Sequence, residues 1–176
     1  MANNLHSYNL YFKFIEEYAP KGFIGIDRND PLLKELELLT EINNQFFFFA
    51  DLIQIQILFC SKRSLQMIGV DPALLSPYHM NQVTHQDDLA RRGLGVANRM
   101  KTANDFKEHQ KGISLLSTNF RLKNPAGSYS NVLFQCYTYY SPSPNNTTYQ
   151  FQVHTNIDWY DKLKGTYHYY CGEDIS

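Results

Sequence analysis

Two pairs of neighbouring carboxylates, Glu16-Glu17 and Asp87-Asp88, come closest in this 176-residue chain to an acid/base constellation. Proton transfer needs groups that converge on one bond, and adjacent residues on a helix point in different directions. The aspartates instead suit a helix start, where carboxylates complement the helix dipole. Serine, histidine and aspartate are all present, yet no GxSxG nucleophile elbow occurs. Gly93-Leu94-Gly95 falls inside an expected helix and follows no strand, so it is not a dinucleotide-binding turn; its glycines permit close packing on a sheet. Cys60, Cys136 and Cys171 show no CxxC, and His79 and His109 offer no metal spacing with His85, so a zinc site is not supported. Cysteines on an apolar strand face are ordinarily packing residues. The expectation is a protein that is not an enzyme.

Composition narrows the alternatives. With 43% hydrophobic and 15% aromatic residues, the chain can bury one sizeable core. The net charge is −1, from 16 basic and 17 acidic residues spread along the chain, so no basic stripe for nucleic acid is present. The longest apolar run, Phe46 to Ala50, is far short of a bilayer span, and Met1 to His6 lacks a signal-peptide pattern. A soluble, cytoplasmic protein with no membrane contact is expected.

The elements that must position any site follow from periodicity. Tyr8, Tyr11, Phe12, Ile15 and Tyr18 predict a helix capped by Ser7, and Pro20-Lys21-Gly22 ends it. Asp30 and Pro31 open a second helix with a stripe of Leu32, Leu33, Leu36, Leu39 and Ile42. From Gln45 the period changes: Phe46 to Phe49 and Gln54 to Cys60 predict two strands joined near Ala50-Asp51-Leu52. Short helices broken by Gly69, Pro72 and Pro77 follow. A longer helix is expected from Asp87 to Asn104, with Leu89, Leu94, Ala97 and Met100 inward and Arg91, Arg92, Arg99 and Lys101 toward solvent. Three alternating segments between Leu115 and Ile157, separated by Pro125-Ala126-Gly127 and Pro142-Ser143-Pro144, predict a meander. The fold class is α+β: a five-stranded antiparallel sheet with crossover helices on one face and N-terminal helices. Residues 1–44 form a helical lead-in, 45–158 the main domain, and 159–176 an exit segment that begins as a helix at Asp158.

His85-Gln86-Asp87-Asp88-Leu89 resembles the "H-P-D-D" helix start of PAS domains, with Gln86 where the family has Pro; Phe120 to Ser128 is similar to that family's strand-turn-strand hairpin. Ile113 to Asn124, Leu133 to Cys136 and Tyr167 to Tyr170 resemble the N-terminal sensor regions of LuxR-type transcription regulators of Bacteroides and relatives. The resemblance implies a sensory domain that controls transcription, with DNA bound only by a C-terminal helix-turn-helix domain absent from this chain. It raises haem at His85, although a histidine beside a helix cap is ordinarily a hydrogen-bonding residue. The Asn-Cys-Arg motif of flavin-binding relatives does not occur. No cofactor is therefore assigned.

A curved sheet under crossover helices encloses a concavity, and its expected lining is Ile55, Ile57, Met67, Leu89, Val96, Met100, Phe120, Leu122, Phe134, Cys136, Phe151 and Val153. Such apolar walls suit a small organic ligand, unless the side chains fill the space themselves. On the other face, Leu133, Tyr137 and Tyr139 predict a surface covered by the lead-in helices, within one chain or across a homodimer. The alternatives are an NTF2-like α+β enzyme, which needs a histidine and a carboxylate converging in the pocket, and a structural dimerisation module with a filled core.

Overall fold

The computed structural model describes residues 9–160 and 168–172. Helix α1, Leu10–Tyr18, is capped by Asn9, whose side chain accepts from the Tyr11 N–H at 3.0 Å; the expected cap, Ser7, lies outside the described residues. A 3-10 turn, Ala19–Lys21, ends at Gly22 with φ 64°, a conformation glycine reaches without strain. Asp30 caps α2, Pro31–Ile42, by accepting from the Leu32 N–H at 2.7 Å, and Pro31 holds the first helical position. The Tyr18 hydroxyl donates to the Asp30 carboxylate and ties the two helices together. Leu33 and Leu36 are buried, whereas Ile42 at the end of the expected stripe is exposed.

The five expected strands form one antiparallel sheet: β1 (Gln45–Asp51), β2 (Gln56–Cys60), β3 (Ile113–Lys123), β4 (Tyr129–Ser141) and β5 (Thr147–Asn156). A sixth strand, β6 (His168–Gly172), pairs with β3, so the order is β2-β1-β5-β4-β3-β6. The chain after Asp158 thus comes back to the sheet edge. Asp158 and Trp159 form a turn rather than a helix start, and residues 161–167 lie outside the described residues. Between β2 and β3 run α3 (Ser64–Ile68), α4 (Pro77–Val83), a 3-10 turn (Gln86–Asp88) and α5 (Leu89–His109). The arrangement is the expected α+β, PAS-like one.

Both faces of this sheet are buried. Helices α1 and α2 cover one, with Phe14, Tyr18, Leu33 and Leu36 against Phe47, Phe49, Phe59, Tyr149, Phe151 and Val153. The crossover helices cover the other, over Phe46, Phe48, Cys60, Leu116, Phe120, Leu122, Phe134 and Cys136. The Phe46–Phe49 run shows no polar alternation because every second ring belongs to a different core. A bulge between Phe49 and Ala50 breaks the simple alternation of β2, leaving Ile57 beside Ala50 on the crossover side and Phe59 beside Phe49 on the other.

Two expectations are corrected here. Phe151 and Val153 face α1 and α2, not the crossover helices. Register is the reason: Ser141 pairs with Thr147, so residues of equal parity share a face across β4 and β5, and Phe134 lies opposite His154. The side of β5 turned to α5 is therefore Gln150, Gln152 and His154. Helix α5 is also rotated from the expected setting. It buries Gly95, Ala103 and Phe106 and leaves Leu94 69% exposed, while Arg92 and Arg99 line hollows against the sheet. Gly95 presents no side chain there, and that lets the arginine stems lie between helix and sheet.

Candidate functional site

The site is built where α5 crosses β5. One turn before it, the His85 imidazole accepts from the Asp87 N–H at 3.2 Å and sets its ring edge against Tyr129. Asp88 does not cap the helix with its side chain. Its buried carboxylate accepts from the Arg121 backbone N–H at 2.9 Å and from Arg121 Nε at 3.0 Å, with Arg91 at 3.4 Å. Burial by itself raises the Asp88 pKa, but the bonds from Arg121 and the nearby Arg91 outweigh it and hold the carboxyl below its ordinary value. Arg91 also donates to the Thr118 hydroxyl at 2.8 Å. These contacts fasten the start of α5 to β3 and aim its next two turns across the sheet.

Arg92 and Arg99, two turns apart on α5, face the polar row of β5. The Arg92 guanidinium donates to the Asn81 side chain of α4. Arg99 lies over the Phe134 ring, with its guanidinium carbon 5.2 Å from the centroid, a cation–π contact. Among the described residues, neither arginine has a carboxylate within ion-pair distance. Burial pushes both pKa values down, Arg92 to about 10 with the Arg99 charge adding to the effect. A guanidinium keeps its proton in proteins, so both bring positive charge to the site.

Below them, His154 is fully buried in a box of phenylalanines. Its ring stacks on Phe46 at 4.4 Å and lies 5.5 Å from Phe48, 6.1 Å from Phe120 and 5.2 Å from Phe134. Among the described residues neither ring nitrogen has a hydrogen-bond partner, and Gln150 Nε2 has none beyond the Cys136 thiol beside it, whereas Gln152 donates to Gln150 Oε1. Burial pushes the His154 pKa well below its ordinary value, and the charges of Arg92 and Arg99 push it further. The imidazole is neutral.

Three hollows meet at Arg99. The innermost, about 20 Å³, lies between Arg91, Arg92, Arg99, Thr118, Gln152 and His154, with Phe120 and Phe134 beside them. That is room for one water-sized group. The second, about 90 Å³, shares Arg92, Arg99 and Gln152 and continues between Phe48, Ile57, Met80, Val96 and Met100. The third, about 300 Å³, opens outward past Asn98, Lys101 and Asp105.

The expected lining is therefore divided. Ile57, Val96, Met100, Phe120 and Phe134 border these hollows. Ile55 sits in the β1–β2 turn with φ 56°, largely exposed at the mouth of the second. Leu122 and Cys136 are buried and Met67 packs beside them, filling the core rather than walling a cavity. Leu89 is partly exposed at the first residue of α5, where the helix has not yet crossed the sheet. Phe151 and Val153 line a different space of about 320 Å³, between α1 and β4, with Tyr11, Phe12, Tyr137 and Tyr139. Reading by hydrophobicity passed over Arg92, Arg99, Gln150, Gln152 and His154. Three polar residues in alternate positions after Tyr149, Phe151 and Val153, facing two arginines seven apart, carried that signal.

Cys60 and Cys136 are buried thiols whose pKa values burial raises to about 12 and about 11, so both are poor nucleophiles. No group of three or more metal-ligating side chains occurs among the described residues, and none of their helices is long and apolar enough to cross a membrane. No family model matches the chain, and no curated protein matches it in sequence. What the geometry can do is bind: a donor-rich inner chamber joins an apolar one under a single helix.

Proposed function

We propose that this chain is a non-enzymatic, cytoplasmic sensory domain of a LuxR-type transcription regulator, binding a small molecule under α5 and signalling through a homodimer, with DNA held by a separate domain. One observation carries the reading. The buried ring nitrogens of His154 have no partner within the described protein, the Gln150 amide nitrogen has none beyond a thiol, and both side chains border hollows beside two arginines. Burying such groups without partners costs free energy, so their retention fits a guest that completes them. The NTF2-like alternative is less well supported, because the charges bearing on His154 come from arginines and its ring is boxed by phenylalanines.

A route for the signal accompanies the site. Asp88–Arg121 and Arg91–Thr118 couple α5 to β3, and β3 pairs with β6, the strand that follows the turn at Asp158. Asp158 is itself held by the Asn131 N–H at 2.7 Å. A guest that favours one setting of α5 biases β3 and β6 with it. The space between α1 and β4, apolar and bordered by Tyr137 and Tyr139, is where a second copy would add to the cover already supplied by α1. Native mass spectrometry of the protein isolated from its source cell tests the reading: a bound small molecule and a dimer are expected. A bare monomer that no metabolite stabilises against heat defeats it.

A further inference from the structure

We propose that the hollow beneath α5 takes a small organic carboxylate, its anionic head on Arg92 and Arg99 beside His154 and its apolar body between Ile57, Met80 and Met100. The inference rests on the sensor reading and narrows it to a ligand class.

Charge is the first ground. Two guanidinium groups at positions i and i+7 of α5 are turned toward the sheet, without a carboxylate partner among the described residues. Like charges confined under one helix cost free energy that an anion between them removes. Asp51 is the carboxylate in the walls of the second hollow, and it is already engaged. Its Oδ1 accepts from the Ile53 and Gln54 N–H groups at 2.9 Å each and from the Thr147 hydroxyl at 2.9 Å.

The balance of donors and acceptors is the second. The inner chamber offers two guanidinium forks and an imidazole N–H, and the Gln150 amide borders the neighbouring hollow with its oxygen already accepting from Gln152. A site with surplus donors recognises a guest rich in acceptors. The neutral state of His154 leaves one ring nitrogen as a donor to an oxygen.

Shape is the third. The inner hollow of about 20 Å³ accommodates one oxygen of a carboxylate, and the neighbouring one of about 90 Å³ has apolar walls for a short body. A planar carboxylate also matches the fork geometry of arginine. Phosphate offers a bulkier head and no apolar portion for the second hollow.

Calorimetry and thermal shift on the whole chain test this with benzoate and butyrate, against benzamide, butyramide and inorganic phosphate. Saturable stabilisation by a carboxylate is expected, with its amide at least tenfold weaker. Arg99→Gln and Arg92→Gln should each weaken carboxylate binding at least tenfold, and Arg99→Lys should weaken it less than Arg99→Gln. His154→Phe, which keeps the aromatic box, guards against misfolding of the arginine variants and should also lose binding. Equal binding of acid and amide overturns the proposal, as does unchanged affinity in Arg99→Gln, no response to either carboxylate, or stabilisation by phosphate alone, which would mark an adventitious ion only. Native mass spectrometry separates the two levels. A neutral or cationic guest under α5 sinks the carboxylate and leaves the sensor, whereas no guest of any kind sinks both.

Discussion

The two faces of one sheet have been finished differently. Toward α1 and α2, β1 and β5 present Phe47, Phe49, Tyr149 and Phe151, and the rings interlock with Phe14 and Phe23: Phe23 stacks on Phe49 at 4.4 Å and Phe49 on Phe151 at 4.6 Å. Toward α5, the intervening residues of β5 are Gln150, Gln152 and His154, and the helix answers with arginines and a glycine. The first face is an aromatic core in which the Tyr139 and Tyr149 hydroxyls are polar atoms left without a partner among the described residues. The second sets the His154 ring nitrogens, without a partner among the described residues, beside a hollow lined by arginines. The strands carrying both are the same, so the contrast separates the aromatic core from the face on which the proposed guest would sit.

The contrast is broken most severely from the packed side. Phe49→Ala should destabilise by about 3–5 kcal/mol, because it removes a ring from the middle of an aromatic stack and leaves a cavity. Urea unfolding reads this directly; a loss below about 1 kcal/mol would mean that the α1/α2 face is not the principal core.

Arg121→Ala comes next, with an expected loss of about 2 kcal/mol, since the Asp88 carboxylate keeps Arg91 but loses its closest side-chain donor. The effect should depend on pH. Asp88 is held below its ordinary value, so its contribution is present above the unfolded carboxylate range and disappears as pH falls through the folded value. The variant and the parent should therefore converge in acid.

On the α5 face the sign reverses. His154→Phe should stabilise by about 1–2 kcal/mol, because it replaces two unpartnered buried nitrogens with carbon inside an existing aromatic box. Its pH signature sharpens the comparison. With the native pKa well below 6.5, the unfolded chain binds a proton in acid that the native chain does not. Stability is therefore lost as pH drops below the unfolded value, by up to about 1.4 kcal/mol per pH unit from this residue. His154→Phe should flatten that slope, and an unchanged midpoint and slope would show the histidine to be satisfied already.

Leu94→Lys should change stability by less than about 0.5 kcal/mol, because the side chain is 69% exposed. A loss of 2 kcal/mol or more would restore the helix setting that places Leu94 against the sheet and remove the arginines from the site.

What the sequence by itself determined are the features written in local chemistry. Asp30-Pro31 opens α2 because a carboxylate accepts a free N–H and proline fits the first turn. The alternation in β3 to β5 made strands, Asn124 to Ser128 made a turn, and the five expected strands join in one sheet. That the lead-in helices cover the second face was legible from Tyr137 and Tyr139, but which residues of β5 face which side was not. When helices cover both sides, apolar residues occur at either parity, and alternation no longer says which side is which.

That choice was made by tertiary structure at three places. The Ser141–Thr147 pairing set the parity of β5, a bulge at Phe49/Ala50 changed the parity of β2, and the rotation of α5 about its axis chose arginines over Leu94. Each is a question of register or rotation. A shift of one residue in a strand, or one position on a helix, exchanges the buried and exposed sets without altering any local preference. Only the contacts that form across the whole molecule have enough free energy to decide between them.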